Sequence, residues 1–73
     1  MNDQELQRRL ASFQMYSGPA NGVIDAATLT AINAFLNFGN IKVPPNWSAA
    51  RRTLAAKQLV CQKDGIDAGI TAL

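Results

Sequence analysis

Seventy-three residues with 48% hydrophobic content describe one small domain at most, too apolar for a disordered tail and too short to bury more than a little over half of its unfolded surface. Seven Lys and Arg against five acids leave a net charge of +2, a mild bias well below a nucleic-acid-grade excess. With no histidine and a single cysteine, Cys61, an intrachain disulfide, a Cys/His metal site and a Cys-His nucleophile are all excluded, and Cys61 reads as a small buried hydrophobe. No cofactor and no metal are expected.

No stretch approaches the roughly 20 apolar residues of a membrane span, so a soluble chain with no membrane partner is expected. Met1 is followed by Asn2-Asp3-Gln4-Glu5, which has neither the basic nor the apolar region of a signal peptide.

The expected fold is all-α, a compact three-helix bundle. The first helix is predicted over about 3–16, opened by Asn2 as N-cap with Glu5 three residues on in a capping-box arrangement. Leu6, Leu10 and Phe13 share its apolar face, Arg8 and Arg9 the opposite side, and Gly18-Pro19 is expected to end it. A Gly/Pro/Asn turn follows, in which Gly18 and Gly22 let the chain turn, Pro19 fixes φ and Asn21 tolerates left-handed dihedrals.

The second helix is predicted over about 26–38. Asp25 caps its positive end, and Ile24 and Leu29 have the spacing of a hydrophobic staple. Leu29, Ile32, Phe35 and Leu36 repeat at three and four residues, Thr30, Asn33 and Asn37 fall on the polar side, and Gly39-Asn40 stops the helix. Residues 41–47 form a Pro-rich connector rather than a strand, because Pro44 and Pro45 remove ladder donors. Ser48 then caps a third helix over about 49–63, with Thr53, Leu54, Val60 and Cys61 on its apolar face and Asp64-Gly65 at its end. Residues 64–73 read as a tail or truncated linker.

The run from Leu6-Gln7 and Leu10, through Gly18, Gly22 and Thr28, to Ala31-Ile32 and Phe35 resembles the family of small helical peptidoglycan-binding domains. That family reads Leu-Gln, a Leu three residues on, Gly-x-x-Asp-Gly-x-Phe-Gly, Thr, Ala-Ile or Ala-Val, and Phe-Gln. Asn21, Ile24, Asp25 and Leu36 stand where the pattern has Asp, Phe, Gly and Gln. The resemblance covers the first half of the chain firmly and the second loosely. Related phage lysins carry a second Asp-Gly-x-x-Gly-Pro-x-Thr turn, which Gly65-Ile66-Asp67-Ala68-Gly69 approaches without completing by Leu73. A natural short form and a module of a longer protein both fit.

The resemblance implies a non-catalytic module that binds bacterial cell-wall peptidoglycan and targets an attached lytic enzyme, of the endolysin or muramidase kind, to its substrate. It implies holin-dependent release from the host cytoplasm to the periplasm and wall. It places the binding groove beside the turn and the helix start that follows.

Residue chemistry names Tyr16, Ser17 and Asn21 as exposed groups for sugar stacking and hydrogen bonding, with Asp25 at the helix start. Trp47 reads as a core lid or, if half exposed, as a sugar platform. Arg51 and Arg52 oppose the dipole of the third helix and read as a solvated face or a partner for wall carboxylates. No intrinsic enzyme activity is expected: Asp3, Glu5 and Asp25 are helix-start residues, and Asp64 and Asp67 sit at an exposed helix end rather than across a cleft. A monomer is expected. Two other functions compete: a helical protein-interaction module with an apolar surface patch, and a helix-turn-helix DNA-binding domain reading through Arg51, Arg52 and Lys57.

Overall fold

The computed structural model describes the backbone of residues 1–72 and the side chains of residues 1–62. The described backbone forms three helices and no strands: α1 (Asp3–Ser12), α2 (Ala26–Phe38) and α3 (Ala49–Ala72). The all-α three-helix expectation holds. Among the described residues no helix is long and apolar enough to cross a membrane. The side chains of Asp64 and Asp67, and all of Leu73, lie outside the described residues.

The N-cap residue of each helix is the one the sequence names, and at α1 the Asn2 half of the capping box forms. Asn2 Oδ1 accepts from the Glu5 amide at 2.8 Å, Asp25 Oδ1 accepts from the Thr28 amide at 2.8 Å, and Ser48 Oγ accepts from the Arg51 amide at 3.2 Å. Each bond satisfies an amide that the helix itself leaves without a partner.

The helix ends differ. α1 stops at Ser12, four residues before the expected end, and Gly18-Pro19 has no part in stopping it. Gln14 turns left-handed at φ 61°, its amide donates to Ala11 O and the Met15 amide donates to Leu10 O, which together make a Schellman motif. α2 ends in the same motif, with Asn40 at φ 61°, Asn40 N–H to Asn37 O and Ile41 N–H to Leu36 O. Met15 and Ile41, the residues after each left-handed position, both pack against the core. α3 runs past Asp64-Gly65 to Ala72 rather than ending near residue 63. A helix-interior glycine is disfavoured by only about 1 kcal/mol relative to alanine, and no proline follows to break the ladder.

The core is a cluster of Leu6, Leu10, Tyr16, Ala31, Ile32, Phe35, Leu36, Ala55, Ala56 and Val60. Phe13 and Phe35 stack across α1 and α2 with ring centroids 5.4 Å apart. α3 packs mainly against α2, and Lys57 Nζ reaches Asp3 Oδ1 of α1 at 2.7 Å. The buried face of α3 is Thr53, Ala56 and Val60 with Ala55, so two expectations are corrected: Leu54 is 46% exposed and Cys61 is exposed. Residues 54 and 61 are seven apart and share the outer side of the helix, while Thr53, Ala56 and Val60 turn inward and Leu59 packs partly buried against the core.

Leu36→Ala is expected to lower stability by about 2–5 kcal/mol, since Leu36 is fully buried between the helices. Leu54→Ala is expected to stay within about 0.5 kcal/mol. Urea unfolding followed by circular dichroism checks both, and an equal loss in the two variants would contradict this assignment of the core.

Candidate functional site

The candidate site grows out of the long turn between α1 and α2, and one buried side chain shapes it. Gln7 is fully buried on α1 between Leu6 and Leu10. Its Nε2 donates to Val23 O at 2.8 Å and to Thr28 Oγ1 at 3.0 Å, while its Oε1 accepts from the Gly22 amide at 2.8 Å. The fully buried Thr28 hydroxyl in turn donates to Asp25 Oδ1 at 2.7 Å. Gln4 Nε2 adds a surface bond to Ala20 O at 2.9 Å. The turn, which has no regular ladder of its own, is thereby satisfied by side chains of the two helices it joins.

Gly22 is needed here for its φ of 80°, which presents its amide to Gln7. Gly18 is needed for a different reason. A Cβ there would lie 2.5–2.9 Å from the Tyr16 hydroxyl and ring atoms, so the glycine makes room for the tyrosine.

The expected site residues divide accordingly. Tyr16 is corrected: it is 7% exposed, its hydroxyl donates to Pro19 O at 2.9 Å, and its ring belongs to the core rather than to a sugar-stacking surface. Ser17 and Asn21 are exposed. Asn21 is not left-handed; its Oδ1 accepts from the Val23 amide at 3.0 Å, closing an Asx turn. Asp25 is exposed, and its Oδ1 is taken by the Thr28 amide and hydroxyl. Trp47 is partly buried against the core, with the Arg51 guanidinium over its ring at 4.9 Å. The ring surface that Arg51 covers is closed to a sugar unless Arg51 moves.

Arg52 is the residue whose role the sequence concealed. It is partly buried, its Nε donates to Trp47 O at 3.3 Å and its Nη1 donates to Asn33 Oδ1 at 3.1 Å, tying α3 to α2 and to the connector. Around it opens a groove of about 620 Å³ lined by Asn33, Asn37, Asn40, Ile41, Lys42, Val43 and Arg52. A second hollow of about 450 Å³ lies between Ile24 at the turn exit and Ala49 and Ala50 at the start of α3. None of the six expected site residues lines either space. The signal for Gln7 and Thr28 was a polar residue on each apolar helix face. For the groove no pattern existed, because its residues come from α2, the connector and α3.

Thr28, through its amide first and its hydroxyl second, holds the Asp25 carboxyl below the usual carboxylate range. A carboxyl with a lowered folded-state pKa contributes stability above its unfolded pKa, near 4, and loses it as pH falls through the folded value. Thermal melts of Asp25→Asn are therefore expected to depend less on pH below about 4 than those of the parent chain. Gln7→Leu, close in volume, is expected to destabilise by about 1–3 kcal/mol, because it strands the Gly22 amide. Hydrogen exchange at Gly22 checks it, with protection lost there before it is lost at Ile32.

No family model, curated protein or solved structure matches this chain.

Proposed function

We propose that the chain is a non-catalytic peptidoglycan-binding module that holds an attached lytic enzyme at the bacterial wall. The observation that carries this reading is that Gln7, Gly22 and Thr28, three of the residues on which the family resemblance rests, meet in one hydrogen-bonded network. That network holds the turn in a defined shape and leaves Ser17 and Asn21 facing out. With Tyr16 inside the core and Trp47 under Arg51, recognition of the wall falls to hydrogen-bonding groups and cations rather than to open aromatic faces. Weak contacts suffice for such a module, since a tether makes the enzyme's encounter with the polymer nearly intramolecular. The attached hydrolase, and release from the host cytoplasm to the periplasm, belong to the same reading.

One observation favours a second reading, a protein-interaction module. Met1, Leu54 and Cys61 line a hollow of about 630 Å³ with Lys57, Gln58 and Gln62, and Leu54 and Met1 are exposed there. The DNA-binding alternative gains nothing of this kind. Residues 39–48 separate α2 from α3, Arg52 is turned to Asn33 and Trp47, and Lys57 pairs with Asp3.

Pelleting of the helical chain with purified Gram-negative sacculi, against equal masses of cellulose and of duplex DNA, tests the proposal. Selective pelleting with sacculi that weakens only mildly between 50 and 200 mM salt is expected, whereas phosphate contacts to DNA would give a steep salt dependence. A chain that keeps its helical circular dichroism and does not pellet with sacculi would sink the wall-binding reading and leave the interaction module in front.

A further inference from the structure

We propose that the groove around Arg52 is a carboxylate site that takes the peptide portion of the wall polymer, the stem peptide, rather than its glycan; this deepens the wall-binding reading and rests on it. Arg52 is the group that would hold the carboxylate. Its two hydrogen bonds, to Trp47 O and Asn33 Oδ1, set the guanidinium in place and use two of its five N–H donors. Among the described residues no carboxylate pairs with it. With Nε engaged by Trp47 O and one Nη1 proton by Asn33, the second Nη1 proton and those of Nη2 are the donors left for an external carboxylate.

The rest of the lining fits a peptide. Lys42 adds a second, exposed cation. The side-chain amides of Asn37 and Asn40 have no hydrogen-bond partner among the described residues and offer both donors and acceptors to peptide groups. Asn40 is set at the groove edge by its left-handed backbone at the end of α2. Ile41 and Val43 supply an apolar wall. Among the described residues no aromatic side chain lines the groove, so it offers no stacking surface for a sugar ring.

The test is a titration of the full chain, followed by amide chemical shifts, with three soluble probes. These are the stem tetrapeptide released from Gram-negative peptidoglycan, the same peptide with its carboxylates amidated, and tetra-N-acetylchitotetraose. Binding of the free peptide, with shifts centred on Asn33, Asn37, Asn40 and Arg52, is expected. Amidation should weaken it at least about 10-fold, the loss of a charge-assisted hydrogen bond, and the oligosaccharide should leave the spectrum unchanged. Arg52→Lys, which keeps the charge and loses the fork, should also weaken binding. Should that variant unfold, Lys42→Gln at an exposed position serves, with an expected loss of about threefold.

Equal binding of the free and amidated peptides, or binding of the oligosaccharide alone, would overturn the proposal. So would no binding of any probe by the folded chain. In that case pelleting with sacculi tells the two readings apart: if it persists, the groove assignment alone has failed, and if it is absent, both have. Peptide binding without pelleting would keep the carboxylate site and remove the wall.

Discussion

The carboxamide of Gln7 is the constraint on which the rest of the molecule depends. The segment between α1 and α2 carries backbone polar groups without a helix or sheet to absorb them, and it lies against the apolar faces of both helices. A buried side chain that donates to Val23 O and Thr28 Oγ1 and accepts from Gly22 N–H resolves this. The same contacts fix where Asp25 stands, and so where α2 begins, because Thr28 bonds Gln7 on one side and Asp25 on the other. A fully satisfied buried network specifies one arrangement, since any shift of the turn would leave several polar groups dry and unpaired.

Helix termination here uses left-handed residues that are not glycine. Gln14 and Asn40 both adopt φ 61° and both close Schellman motifs whose following residues, Met15 and Ile41, enter the core. The hydrophobic contact of the residue beyond the turn offsets the modest strain of a left-handed side-chain residue. Asparagine adopts this conformation comparatively readily; glutamine does so less readily, and at Gln14 the packing of Met15 decides. The early end of α1 has a structural consequence. It brings Tyr16 back into the core and its hydroxyl to Pro19, so that the aromatic group nearest the turn braces the loop from inside.

Arg51 and Arg52 are adjacent in sequence at the start of α3, where cations oppose the helix dipole, yet they make different contacts. Arg51 lies over the Trp47 ring, and Arg52 is bonded to the Trp47 carbonyl and to Asn33. One contact closes an aromatic face and the other orders a guanidinium at the edge of a groove. These partners explain why both arginines are tolerated at a position where their charge alone is unfavourable.

Local rules carried much of this structure. Asn2, Asp25 and Ser48 were legible as caps because capping needs a side chain only within its own turn. The period of Leu29, Ile32, Phe35 and Leu36 marked α2, and Gly39-Asn40 its end. Tertiary structure decided the rest. Whether Tyr16 points out or in depends on how α1 ends and on the room left by Gly18. The face that α3 buries depends on how it packs on α2, and that packing puts Leu54 and Cys61 outside. The groove joins Asn33, Asn37, Asn40, Lys42 and Arg52 from three segments whose mutual distances no local periodicity encodes. Sequence alone determined where helices start, since a cap is a property of one turn of chain. Which polar residues meet was settled by packing, because a partner for Gln7 or Arg52 exists only when separate helices are brought together.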